Sequence, residues 1–475
     1  MDRLERAGLR PAPLSGLHKT YGGELTMRKR ILWAVFALCI LAGVSPAGPA
    51  RAHDDPPPPA FPGKASGESE EKNPPDPLKF GPVKLGLDTL LRPETTSNFS
   101  LGSFSFTPGN DESRILFRLR PSVTVAPSES FSARVEGQWY AFHNDTDFSI
   151  FSLYQGYVEG IVPGVKGVSL KAGRQEFVYG STFLLGADSF YDGLTFDAAK
   201  LSLKPSEKFS LDLFGGQYVK KWAGDIEGKL YGVYATYAPR EALSIDLYGL
   251  RDTGGVGATH VGGAHERTYS VGTRINGKVG KHVAYELEPV YQFGKKGKDG
   301  ASHNHISAHG GHADVTIDPP LGRYPGKIFL SYAYGSGDAN TQEGKSTEFH
   351  NPNNDTLLIG DMNVIGDLSG LSLADSAGAE VRASGLHVLT VGGGVDLTEK
   401  LNLSLNGHYF RAARTPAGFS KEIGIETNLI LTCKIRNNIS ALLSGNRFFT
   451  GDFFKDATGS GKDINYVYAQ LQAAF

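Results

Sequence analysis

Within residues 113–123, Arg114, Arg118 and Arg120 alternate with Ile115, Phe117, Leu119 and Val123. Side chains two positions apart share a face in a strand, so this stretch reads as a strand with a guanidinium face and an apolar face. Arg134, Lys171 and Arg274 also fall on the polar sides of alternating segments. A guanidinium presents paired N–H donors that match a carboxylate, and rings of such charges favour anions in a pore. A second use is open to the same charges. Glu136, Glu159, Asp212, Asp246, Glu286 and Glu288 occupy polar faces too, and pairing with them would brace a wall rather than attract a solute.

Other constellations carry less. His303, His305, His309 and His312 have imidazole spacing suited to Zn²⁺ or Cu²⁺. The glycine and serine among them fit a surface loop, and His312 differs in parity from His305 and His309, so no metal is expected. Gly459-Ser460-Gly461-Lys462-Asp463 looks like the end of a phosphate loop, but Asp456 stands where the leading glycine belongs and Asp463 replaces the Ser or Thr. It reads as a hairpin loop. Neither a GxSxG elbow nor an HExxH pair occurs. No catalytic residue and no cofactor are implied.

The elements that position these residues are strands. From residue 80 onward there is no sustained 3.6-residue apolar period, and short alternating segments repeat to the end. In residues 401–409, Leu401, Leu403, Leu405 and Tyr409 oppose Asn402, Ser404, Asn406 and His408. In residues 423–435, Ile423, Ile425, Leu429, Leu431 and Cys433 are expected on one face opposite Glu426, Asn428 and Lys434. A parity slip at Ala198 and Ala199 suggests a bulge. The segments number about eighteen. Tight turns such as Ala126-Pro127-Ser128 and Ala238-Pro239-Arg240 alternate with long polar loops at residues 251–266, 295–304 and 335–382. Short turns at one rim and long loops at the other are expected of an antiparallel transmembrane barrel.

The amino end reads as an address. Residues 31–44 are apolar, Arg28, Lys29 and Arg30 precede them, and Ala50-Arg51-Ala52 follows, which together describe a secretory signal peptide over residues 1–52. Met27 sits just before it, so residues 1–26 look like an over-extended start. Residues 53–79 are rich in proline and charge and read as a disordered periplasmic leader, and residues 80–475 as the barrel. Loss of residues 1–52 removes 8 basic and 3 acidic side chains from 48 and 50, leaving 40 against 47 and a formal charge of −7. Nucleic acid is not an expected partner on that balance. Cys39 lies in the signal, so Cys433 would stand alone and no internal disulfide is expected.

The last stretch, DINYVYAQLQAAF, alternates Val467, Ala469, Leu471 and Ala473 with Tyr466, Tyr468, Gln470 and Gln472 and stops at Phe475. It resembles the terminal strand of outer-membrane β-barrel proteins, which implies recognition by the barrel assembly machinery. A narrower resemblance lies in Ala172-Gly173-Arg174-Gln175-Glu176-Phe177-Val178-Tyr179-Gly180 with Asp188 to Asp197 after it, and in Ser331-Tyr332-Ala333-Tyr334-Gly335-Ser336-Gly337-Asp338 with Glu348-Phe349. These segments resemble the alginate-export family of outer-membrane proteins, with its GRQ strand, aspartate-aromatic return strand and SGD loop.

That resemblance implies a monomeric barrel of eighteen strands in outer-membrane lipid and lipopolysaccharide, with a constricted, arginine-lined pore for a polyuronate. Arg174 enters the pore-lining set through this motif alone. The expectation is a passive channel for hydrophilic, anionic solutes of uronate type. A substrate-unspecific uptake porin is the alternative, given the lumen carboxylates. A structural barrel would show a plugged lumen, and an outer-membrane phospholipase would need a serine beside a histidine such as His387 or His408.

Overall fold

The computed structural model describes residues 79–144, 148–219, 228–253, 267–296, 304–319, 324–338, 344–362 and 364–475. The expected signal peptide over residues 1–52, all but the last residue of the expected leader over residues 53–79, His303 and the greater part of the loops at 251–266 and 295–304 lie outside them. Among the described residues, eighteen long strands follow in chain order. The first six are β1 (Val83–Ser100), β2 (Ser105–Ser128), β3 (Phe131–His143), β4 (Phe148–Ile161), β5 (Val168–Gln175) and β6 (Phe196–Ser206). Then come β7 (Phe209–Tyr218), β8 (Lys229–Arg240), β9 (Leu243–Asp252), β10 (Arg267–Val279), β11 (Val283–Lys296) and β12 (Asn304–Ile317). The last are β13 (Gly326–Gly335), β14 (Glu380–Thr398), β15 (Leu401–Arg414), β16 (Glu422–Arg436), β17 (Ile439–Thr450) and β18 (Ile464–Ala474).

Each strand pairs antiparallel with the next, and β18 closes on β1 with Leu471 opposite Leu91 and Tyr468 opposite Glu94. Closure pairs each of the eighteen long strands on both sides. Phe475 continues this seam, its amide donating to the Leu87 carbonyl at 2.9 Å. The turns 129–130, 207–208, 241–242 and 437–438 lie at one rim, and the longer connections lie at the other. Leu91, Val135, Leu247, Leu405, Ile425 and Leu429 are exposed on the outer wall. Exposed Phe131, Phe209 and Tyr237 stand near the short-turn rim; Trp139, Tyr231, Tyr291, Tyr332, Tyr409 and Phe449 stand toward the other. Two aromatic girdles flanking an apolar band are the mark of a barrel that crosses a membrane.

The lumen is not uniformly polar, which corrects a simple reading of the alternation. Leu90, Leu116, Phe196, Phe214 and Val388 are buried on the inner face, because two segments of chain fold into the barrel and need an apolar seat. The first is residues 176–195, between the short strands β5 and β6. The second is residues 347–369, residue 363 apart, between β13 and β14. Phe177, Phe183 and Leu185 of the first pack with Phe349, Leu358, Ile359 and Leu368 of the second in one cluster. Phe349 sits against β12 where Gly310 clears a space for it: a Cβ there would approach the ring to 2.6 Å. A short helix, Asp452–Thr458, caps the same cluster through Phe453 and Phe454, and residues 459–463 after it form the loop expected between β17 and β18.

Three further expectations change. Pairing through Ala198 and Ala199 is continuous, with no bulge; the apolar set switches faces because Phe196 and Ala198 point into the apolar part of the lumen while Leu201 points out. The aspartate-aromatic return strand begins only at Phe196, and Asp188 to Thr195 belong to the inward loop. Ile423 is buried inside whereas Ile425 is exposed outside, since β16 carries an extra residue opposite Phe410 and Arg411.

Candidate functional site

The inward loops are tied to each other across the lumen. The Gly186 amide donates to the Asn353 carbonyl at 2.8 Å, the Asp355 amide to the Thr182 carbonyl at 3.0 Å, and Asn351 Nδ2 to the Phe183 carbonyl at 3.0 Å. Asn353 Nδ2 also donates to the Tyr218 hydroxyl at 2.7 Å, which fixes the pair to β7. Backbone polar groups taken away from water need such partners, and here each loop supplies them to the other.

Beneath this constriction is a cavity of about 420 Å³ whose wall includes Arg92, Arg118, Arg120 and Arg134 together with Asp88, Glu136, Glu176 and Asp355. Arg118 donates to the carbonyls of Ser189 (2.7 Å) and Tyr191 (2.8 Å) and lies 3.3 Å from Asp88. Arg120 donates to Gln138 (2.6 Å) and to the Asp192 carbonyl (3.3 Å), with its guanidinium 3.6 Å from the Tyr154 ring centre. Arg134 pairs with Glu136 at 3.1 Å and keeps about a third of its side chain in solvent. The arginines of β2 therefore do two things: they present positive charge to the cavity and they hold the carbonyls of the first inward loop. Gly193 lets the loop come this close, at φ +78°, with a Cβ there falling 2.7 Å from the Arg120 guanidinium.

The remaining candidates are distributed. Arg114 is buried nearer the long-loop rim, ion-paired to Glu94, bonded to the Leu101 carbonyl at 2.9 Å and stacked 4.0 Å from the Phe142 ring. Lys171 faces the lumen on β5, 3.7 Å from the Tyr157 ring. Arg274 is on β10, bonded to Asp246 at 3.0 Å and Glu286 at 2.5 Å. Arg174 does not line the pore: strand alternation puts it on the outer face with Leu170, where it makes a two-bond fork to Asp197 at 2.8 and 2.9 Å. The motif match carried it inward; the pleat, with Gln175 fully buried on the inner side, carries it out.

Arg92 is the arginine of the cavity wall that sequence reasoning missed. It precedes Pro93 in a run of leucines, but the period-2 relation Leu90, Arg92, Glu94 carries the signal. It is buried, donates to Gln470 (2.8 Å) and to the Phe190 carbonyl (2.9 Å), and stacks on Phe190. The histidines also separate. His305 is exposed and His312 buried, and both lie on strand β12 rather than in a surface loop. His387 bonds the Tyr332 hydroxyl (2.7 Å) and His408 the Thr390 hydroxyl (2.8 Å).

A closed eighteen-stranded barrel, girdled by aromatics and narrowed by inward loops over a charged cavity, defines an outer-membrane channel. The model of the alginate export family matches residues 82–468, and the chain belongs to that family. Its fold is that of solved porins of Pseudomonas aeruginosa. OpdO superposes with a TM-score of 0.56 at 12% identity, covering 82% of this chain and 97% of that one. OprD gives 0.53 at 13% identity over 82% and 94%, and OccK8 (OprE) 0.55 at 10% over 83% and 98%. No curated protein matches the sequence. The chain is thus an outer-membrane porin-type protein of the Gram-negative cell envelope.

Proposed function

We propose that this channel passively conducts hydrophilic anions of the uronate class, as free oligomers or as a longer polysaccharide. The observation that carries the reading is the cluster of Arg92, Arg118, Arg120 and Arg134 at one cavity under the constriction. Arg92 and Arg120 bond mainly to neutral oxygens of Gln470, Gln138 and main-chain carbonyls, so their charge acts on the cavity in a low-dielectric surround. Successive carboxylates of a uronate chain would exchange between neighbouring guanidiniums, a multi-site arrangement that permits entry and release. The family's description, alginate export, agrees with this solute class.

A second reading, a less selective solute porin, is favoured by Asp88, Glu136 and Glu176 among the same arginines. Reversal potential under a salt gradient separates the two: clear anion preference with block by oligouronate supports the first, weak selectivity without block the second. The closed seam between β18 and β1, with Phe475 at its end, supports a monomer inserted through its terminal strand by the assembly machinery into lipid and lipopolysaccharide.

A further inference from the structure

On the lumen face of β11 and β12, Glu286, Glu288 and His312, none of which lines the arginine cavity, offer ligand atoms that all lie within 4.8 Å of one another. We propose that these three residues, with Ser181 Oγ of the first inward loop, form a binding site for a divalent cation of the zinc class.

The geometry carries it. His312 Nε2 is 3.3 Å from Glu288 Oε2 and 3.7 Å from Glu286 Oε1. Ser181 Oγ is 3.2 Å from the same nitrogen and 2.7 Å from Glu288 Oε2. Tetrahedral zinc with bonds of ~2.0–2.1 Å has ligand-to-ligand edges of ~3.3 Å, close to these separations. The outward atoms are already held. Asp314 Oδ2 takes the other ring nitrogen, Nδ1, at 2.8 Å, Ser331 donates to Asp314, Tyr248 donates to Glu288 Oε1 at 2.7 Å, and Arg274 donates to Glu286 Oε2 at 2.5 Å. A carboxylate that orients the far nitrogen of a histidine is the usual support for a metal-ligating imidazole.

Independently, Glu286 Oε1 is a buried oxygen that receives no hydrogen bond, and it is aimed at His312 Nε2. Asp246 and Glu286 share the guanidinium of Arg274, and Glu288 and Asp314 flank the His312 ring, so four carboxylates stand against one arginine and one imidazole, an excess of negative charge that a cation would offset. The Phe183 ring, 4.7 Å from the imidazole, shields one side. An ion here would bind Ser181 and so tie the first inward loop to the opposite wall.

The test is equilibrium dialysis of the untagged, refolded full chain against buffered Zn²⁺, alongside His312→Ala, Glu286→Gln and Asp314→Asn, with heat-modifiable gel mobility confirming that each barrel is folded. The expected result is one tight Zn²⁺ per wild-type chain, lost in His312→Ala and Glu286→Gln and weakened ~10–100-fold in Asp314→Asn. Co²⁺ in the same site should give the intense visible absorption of a tetrahedral centre. No stoichiometric binding by wild type, or binding that folded His312→Ala retains because exposed histidines such as His305 supply it, would overturn the proposal.

Discussion

The guanidinium of Arg92 lies 3.6 Å from the centre of the Phe190 ring and donates to the carbonyl of the same residue at 2.9 Å. One wall arginine thereby grips both the side chain and the main chain of the loop that narrows the barrel. Replacing it by glutamine removes a cation–π contact and charge-assisted bonds together worth about 2–4 kcal/mol of loop docking. Arg92→Gln is expected to remain a folded barrel but to flicker between conductance levels in single-channel records. A quiet trace at the wild-type level would show that Arg92 does not hold the loop.

Arg118 and Arg120 should govern selectivity, and Arg174 should not. The double variant Arg118→Gln/Arg120→Gln is expected to lose much of its anion preference, because two charges leave the cavity wall. Arg174→Gln alters an outer-wall fork to Asp197 and a bond to the Leu153 carbonyl, all away from the cavity. Its reversal potential should equal that of the wild type. A shift in Arg174→Gln comparable with that in the double variant would contradict the placement.

Phe349 seats the second inward loop in the space left by Gly310. Truncation of a buried phenylalanine costs about 3–5 kcal/mol, most of it here charged to loop docking rather than to the strand ladder. Phe349→Ala is therefore expected to raise mean conductance and protease sensitivity of residues 347–369 while the barrel keeps its heat-modifiable mobility. Loss of the barrel itself would mean that the loop is part of the folding unit.

The docking of that loop should weaken with rising pH. Asp361 is buried with neither carboxylate oxygen hydrogen-bonded; burial first, then the nearby Glu426, push its carboxyl up to about 8. His350 lies 3.1 Å from Glu348 and 3.8 Å from Asp367; these carboxylates outweigh the opposing effect of burial and raise the imidazole to about 9. Both groups hold a proton when docked that they release more readily when free. Their contributions are thus complete at low pH and fade as pH rises, for Asp361 from about 4 to about 8 and for His350 from about 6.5 to about 9. Open-state occupancy should increase between about pH 4 and pH 9, and Asp361→Asn should flatten the lower part of that rise. A pH-independent record would refute it.

The wall was legible in the sequence because one residue in two meets lipid and must be apolar, as at Leu401, Leu403 and Leu405. Strand number, the turn and loop rims and the closing strand follow from that single constraint. What the pattern does not encode is where the lumen ceases to be wet. Phe196, Phe214 and Ile423 face inward because loops arrive there from far along the chain, and an apolar residue on either face looks the same in a period-2 reading. The site divides similarly. Arg118, Arg120 and Arg134 were found by parity, whereas Arg92 was hidden among leucines and Arg174 was drawn in by a motif whose strand presents it outward. Glu286, Glu288 and His312 converge only through the pairing of β11 with β12, which places Glu288 opposite His312.

The most direct test of the central claim is the reversal potential of the refolded channel in a planar bilayer under a salt gradient, followed by addition of oligouronate. Conduction of anions through the arginine cavity predicts an anion-selective current that oligouronate blocks, with both properties reduced together in Arg118→Gln/Arg120→Gln. A cation-selective current indifferent to oligouronate would contradict it.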